Sequence, residues 1–228
     1  MRSRGKPRSI GVALAAALAL GLFLPGGAAA QGPAAPTLIL GGHLYPRPFG
    51  LAYAYGHAEV PASEPQSDVA GQTIALYEST FPFTGWTQVA TLTTDFEGYF
   101  TYHQTIAQNT AFRAIWQAAT PVQSKDKLIK LPMKLAVKAS HRRVKRGGVV
   151  TFSGSGSPGH PGSTVQLQQM TSHGGFRTIS SAVVSPTSTF SVRLRVRRGG
   201  VFRVLFPGDG QFGASASRPI RVRVRASR

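Results

Sequence analysis

The 228-residue sequence contains no cysteine. That absence removes disulfide scaffolds, thiol nucleophiles, cysteine-ligated zinc, iron–sulfur clusters and a lipid-modified N-terminal cysteine together. Acids are scarce, 8 Asp and Glu against 26 Lys and Arg. Glycosidase chemistry needs two carboxyls across a cleft, and a Ser-His-Asp arrangement in the C-terminal half would rest on Asp209, the one acid there. Asparagine occurs once, at Asn109. Beyond residue 30 no apolar run approaches the roughly 20 residues of a membrane-spanning helix. What is plentiful is 26 Gly and 16 Pro in a chain that is 42% hydrophobic, a composition of short strands and many turns.

Arg2, Arg4, Lys6 and Arg8 precede an apolar run from Ile10 to Leu24, and Ala28-Ala29-Ala30 follow. This reads as a secretory signal peptide over residues 1–30, cleaved after Ala30, with no integral membrane segment left in the mature chain. Removing its four basic residues leaves 22 basic and 8 acidic groups. An exported chain without disulfides must be held by apolar cores, and each domain then needs about 100 residues. Two domains are expected, at 31–130 and 131–228.

Self-comparison supports the division. Gly71-Gln-Thr-Ile-Ala-Leu76 is matched by Gly162-Ser-Thr-Val-Gln-Leu167, Gly98-Tyr-Phe100 by Ser188-Thr-Phe190, and Phe112-Arg-Ala-Ile-Trp116 by Phe202-Arg-Val-Leu-Phe206. Gly50 to Gly56 pairs with Gly148 to Gly154, and the extra residues around Glu64 to Ala70 read as a lengthened loop in the first copy. Within each copy apolar and polar residues alternate with period two, as in Val192, Leu194, Val196 against Arg193, Arg195, Arg197. The expected fold is all-β, two tandem sandwiches of about seven strands each. Val165, Leu167, Phe190, Phe202, Val204 and Phe206 should point inward, with Ile74, Leu76, Phe100, Phe112, Ala114 and Trp116 as counterparts.

The unit Arg143-Val-Lys-Arg-Gly-Gly-Val-Val-Thr-Phe-Ser-Gly154, with Pro161-Gly-Ser-Thr-Val-Gln-Leu167 and Gly200-Val-Phe-Arg-Val-Leu-Phe-Pro-Gly-Asp-Gly210, resembles bacterial immunoglobulin-like repeats of tandem secreted proteins, especially of actinobacterial type. Thr93-Thr-Asp-Phe-Glu-Gly-Tyr-Phe100 also resembles the turn and strand of carboxypeptidase regulatory-like domains. The first resemblance implies immunoglobulin-like β-sandwiches with adhesive, spacer or ligand-presenting roles and no transferable catalytic residue. Some adhesin domains of this type carry a Lys-to-Asn crosslink. Here it would need Asn109, whose neighbours read as a turn, and none is expected.

Charge divides unevenly: residues 31–130 hold five basic and seven acidic groups, residues 131–228 seventeen basic and one acidic. Such a field concentrates polyanions. The candidate polyanion-binding residues are Arg142, Arg143, Lys145, Arg146, Arg193, Arg195, Arg197, Arg221, Arg223 and Arg225. Candidate partners are an anionic cell-wall polymer or acidic glycan, and nucleic acid without sequence preference. The basic half has no Tyr or Trp, so it lacks the stacking side chains of an RNA-binding sheet. The competing explanation is that outward charge keeps sheet edges from pairing and the protein in solution.

All six Tyr and both Trp lie in the first half. Tyr45, Phe81, Phe83 and Trp86 sit in expected loops and form an alternative ligand site for a glycan or protein, unless they plug the sandwich ends or the seam between domains. The six histidines show no zinc-protease spacing, and His57 and Glu59 read as a solvated pair. Asp95-Phe-Glu97-Gly98 reads as a hairpin turn. No cofactor, metal or catalysis is expected. The expected function is that of a noncatalytic binding or structural protein, secreted or associated with the cell envelope. Its chain ends at the last expected strand without a sorting motif, so attachment would be noncovalent.

Overall fold

The computed structural model describes residues 35–47 and 49–225; the expected signal peptide lies outside them. Seventeen strands run in chain order among these residues. The first copy carries β1 (Thr37–Leu44), β2 (Leu51–Glu59), β3 (Thr73–Thr80), β4 (Thr87–Thr93), β5 (Tyr99–Thr105), β6 (Thr110–Trp116), β7 (Val122–Gln123) and β8 (Lys127–Ile129). The second carries β9 (Lys134–Ala139), β10 (Arg143–Lys145), β11 (Gly148–Ser157), β12 (Thr164–Met170), β13 (Phe176–Val183), β14 (Thr189–Val196), β15 (Gly200–Phe206), β16 (Ser215–Ala216) and β17 (Ile220–Arg225). The described residues contain no α-helix, and none of their helices could cross a membrane.

In the first copy a β1-β2-β5 sheet faces β4-β3-β6-β7, with β8 added to β6. In the second, β9-β11-β14 faces β13-β12-β15-β17-β10, with β16 added to β15. The pairing is therefore repeated strand for strand, and β10 alone has no counterpart. Each copy is a two-sheet β-sandwich, three strands against a larger sheet. All twelve residues expected inward are buried. Period-two alternation makes this inevitable once one face meets the opposite sheet, because a single-residue slip would expose every one of them.

Local chemistry repeats too. The buried Ser124 hydroxyl accepts from the Ala114 N–H and donates to the Lys125 carbonyl; the buried Ser217 hydroxyl does the same with Val204 and Arg218. The Asp95–Tyr99 turn, with Gly98 at φ +87°, is matched by Ser185–Thr189, where Ser188 takes the left-handed conformation at φ +58°. Gly56 lies beneath the Phe100 ring and Gly154 beneath Phe190, so an added Cβ would meet those rings at 2.1 and 2.7 Å.

Three details differ from the sequence reading. Arg143, Val144 and Lys145 form a short strand, β10, beyond the seven or so expected, and it runs parallel to the last strand. The extra loop of the first copy is not wholly irregular: it contains a 3-10 turn, Gln66–Val69, and seats Val69 in the core, where its carbonyl accepts from the Thr94 hydroxyl. The residues just before the expected boundary between 130 and 131 contribute β8, and the buried side chains run without a break through Leu131 and Met133 into the second sandwich.

The joint is built around Asn109, which is 1% exposed. Its amide nitrogen donates to the Gly210 carbonyl at 2.9 Å and the Asp209 carbonyl at 3.3 Å, and its amide oxygen accepts from the Leu131 N–H at 2.9 Å. Its backbone N–H donates to Gln211 and its carbonyl accepts from Phe81. Phe81 covers Gly210 on one side, and Lys134 lies 3.8 Å over the Phe49 ring on another.

Candidate functional site

Alternation in β17 turns Ile220 and Val222 inward and Arg221, Arg223 and Arg225 to solvent. Parallel pairing then sets Arg143 beside Arg223 and Lys145 beside Arg225, while the Arg142 carbonyl accepts from the Arg223 N–H. Arg142, Arg143, Arg221 and Arg223 line a shallow groove of about 240 Å³. Like charges gather here because the backbone ladder holds them, and Arg146 continues the exposed row past β10.

Arg193 and Arg195 alternate outward on β14, in the other sheet, with Arg197 just beyond its end. Arg195 donates to the Gly147 carbonyl at 3.1 Å. At this end of the sandwich Arg195 and Arg197 meet Arg177 and Arg198 around a cleft of about 640 Å³ with Phe202 among its lining residues. Arg177 and Arg198 were not among the candidates from sequence, because only the β12–β13 and β14–β15 connections bring them to the same end. The ten expected basic residues thus fall into two groups on different sheets. Among the described residues the ion pairs are His57–Glu59, Arg113–Asp126 and His160–Asp209, so none of the ten has a carboxylate partner.

The single acid of the second sandwich is spent on structure. Asp209 Oδ1 accepts from the Gln211 and Phe212 N–H groups, and Oδ2 pairs with His160 Nε2 at 2.5 Å. Burial pushes the Asp209 carboxyl up, but the bonds from His160, Phe212 and Gln211 outweigh it and hold the group below its usual range. His160 packs edge-on against Phe212 and Phe206.

Of the four aromatic residues expected as a loop site, Phe81 and Trp86 line one shallow pocket of about 270 Å³, and Tyr45 lies elsewhere. Phe83 meets Phe81 edge-on at 6.0 Å, while Phe81 covers Gly210 at the joint. Trp86 lies under Arg113 at 4.0 Å, and Arg113 is held by two bonds to Asp126, which raise its pKa. Tyr45 belongs to a different cluster, on the outer face of the β1-β2-β5 sheet.

In that cluster Tyr53 sits centrally, its ring centroid 4.7 Å from His103, 5.2 Å from His43, 5.3 Å from Tyr55 and 5.6 Å from Tyr45. Further along the sheet His57 and Tyr99 stack at 4.3 Å. Ladder pairing makes the cluster: Tyr53 is opposite His43 on one side and His103 on the other, while Tyr55 is opposite Gly41 and lays its ring where a Cβ of Gly41 would stand. The signal was present in Leu51-Ala-Tyr-Ala-Tyr-Gly-His-Ala-Glu59, whose alternation puts small residues inward and large rings outward. Reading alternation as apolar-in and polar-out hid it. His57 pairs with Glu59 and with the Glu97 carbonyl, as a face-sharing pair should, and His103 stands apart with the tyrosines. No group of three or more His, Asp or Glu suited to a metal occurs among the described residues.

No family model matches the sequence, and no curated protein matches it. Among solved structures, a tetra-tandem repeat from the extending region of a large adhesion protein aligns at 12% identity and TM-score 0.38, covering 82% of this chain and 49% of that one. The Yersinia pseudotuberculosis adhesin InvE aligns at 10% identity and TM-score 0.35, covering 83% and 59%. This chain spans about half to three-fifths of the length of those two chains.

Proposed function

We propose that the protein is exported and acts without catalysis at or near the cell envelope, its basic second sandwich docking on an anionic polymer such as a phosphate-rich wall polymer or an acidic glycan. Residues 1–30 direct export in this reading, and the mature chain divides into a presenting domain, 31–130, and a docking domain, 131–228. The observation that carries it is charge without counter-charge. Seventeen basic groups share the second half with Asp209, and Asp209 is engaged by His160 and its own turn.

Strand geometry gives the field a form suited to a repeating ligand. Arg221, Arg223 and Arg225 recur at every second residue, about 6.8 Å apart on one face. Guanidinium groups bind phosphate or carboxylate through paired N–H donors. Nucleic acid would be held by the same electrostatics, without base stacking, since the second half has no Tyr or Trp.

The test is elution by salt from isolated cell wall, immobilised polyphosphate and heparin. Wild-type protein should be retained and released by rising ionic strength, and replacing Arg142, Arg143, Arg221 and Arg223 by Gln should bring release to lower salt. Retention indifferent to salt, or unchanged in the substituted protein, would sink the reading.

A further inference from the structure

We propose that the Tyr/His face of the β1-β2-β5 sheet is a second binding site, chemically unlike the basic sandwich, and that its ligand is a neutral polysaccharide chain. The face presents Tyr45, Tyr53, Tyr55 and Tyr99 with His43, His57 and His103, and Tyr55 and Tyr99 are 44% and 48% exposed. Tyr53, Tyr55 and His57 follow one another on β2 at every second position, which extends the platform about 14 Å along the strand. Neighbouring strands widen it to about 10 Å. An extended glycan strand fits such a surface, ring upon ring.

Charge selects the ligand. No lysine or arginine occurs in β1, β2 or β5. Their one carboxylate, Glu59, stands at the end of the face and bonds Thr37 and His57. An ionic ligand lying across the rings would lose hydration and find no counter-charge. A neutral sugar offers C–H faces to the rings and hydroxyls to their polar tips. Those tips are free for it: among the described residues no hydrogen bond engages the hydroxyls of Tyr45, Tyr53, Tyr55 or Tyr99, or the ring nitrogens of His43 or His103. A purely apolar partner would leave all of them unsatisfied, a cost at any dry interface.

The duplicated fold supplies the control. Cross-strand ring pairs also stabilise sheets, so their presence alone would not imply a ligand. In the second sandwich, however, the positions of Tyr53, Tyr55, His57 and His103 are held by Thr151, Ser153, Ser155 and Arg193, and the same ladder forms. That face gives Ala136, Lys138, Ser153, Ser155 and Ser191 to the lining of a shallow groove of about 770 Å³. The sheet therefore does not need rings there. In β2 the bulk is outside, over Ala52, Ala54, Gly56 and Ala58 inside, the reverse of what core packing favours.

The test is calorimetric titration of the full-length exported protein with a panel of neutral hexasaccharides (cellohexaose, xylohexaose, mannohexaose and maltohexaose) at low and high salt. At least one should bind, with an affinity independent of salt. Tyr55→Ala should weaken it roughly tenfold, the loss of one stacked ring, whereas Tyr55→Phe should retain most of it. Gly41→Val displaces the Tyr55 ring without deleting it and should also weaken binding; unfolding midpoints verify that each variant is folded. The four-arginine variant should bind the sugar as wild type does, which separates this site from the basic one. The proposal is overturned if the folded protein binds none of the panel, if binding survives Tyr55→Ala and Gly41→Val, or if salt abolishes it. Self-association or protein capture lost in Tyr55→Ala, without sugar binding, would overturn it too and assign the face to a protein partner.

Discussion

Replacing Asn109 by Ala should separate two unfolding events that the continuous core is expected to join in the native chain. The side chain is 1% exposed, and its amide satisfies the Leu131 N–H on one side and the Gly210 and Asp209 carbonyls on the other. Truncation strands the N–H of the buried Leu131, while the Gly210 and Asp209 carbonyls lie on exposed residues and can turn to water. At ~1–3 kcal/mol for a buried group left unpaired, the loss is ~1–3 kcal/mol. It falls on contacts between the sandwiches rather than within either. Both tryptophans report on the first sandwich, while far-ultraviolet circular dichroism reports on both. Denaturant curves from the two probes should coincide in the wild type and part in Asn109→Ala. Asn109→Asp supplies a sign test. A carboxylate would face two carbonyl oxygens, so only the neutral acid donates to Gly210, and the folded-state pKa of the introduced carboxyl is raised. The variant's joint is then firmest below the unfolded carboxyl's pKa of about 3.9 and weakens as pH rises through the raised folded-state value. Coincident, unshifted transitions in Asn109→Ala would refute the reasoning, as would wild-type probes that already disagree.

Other consequences are open to the same measurements. Asp209 has a depressed pKa, so its stabilisation is present above the unfolded value of about 3.9 and is lost as pH falls below it; Asp209→Asn should flatten the acid limb of the stability profile. Ser124→Ala and Ser217→Ala each strand a buried N–H and should each cost ~1–3 kcal/mol in urea unfolding, and widely unequal costs would contradict the repeat. Gly56→Ala and Gly154→Ala force a methyl against Phe100 and Phe190 and should each lower stability by ~1–3 kcal/mol, read from the denaturation midpoint.

Much of the architecture was written in the order of residues. Period two in Phe202–Phe206 and Ile220–Arg225 states which side chains go inside, since each strand has two faces and one must meet the opposite sheet. The duplication was legible for the same reason: turns such as Asp95–Gly98 and Ser185–Ser188 recur between apolar segments at constant spacing. The charge division needed no structure at all, being a count. Tertiary structure alone decided what lies beside what. Tyr53 meets His43 and His103 through two ladders whose partners are ten and fifty residues away, and no local pattern encodes that meeting. Arg143 comes beside Arg223 because β10 crosses to the opposite sheet. The lone asparagine, read as a turn residue, proved to be the pin of the joint, because a buried amide answers to whichever unpaired backbone groups the packing brings to it, and sequence fixes neither their identity nor their direction.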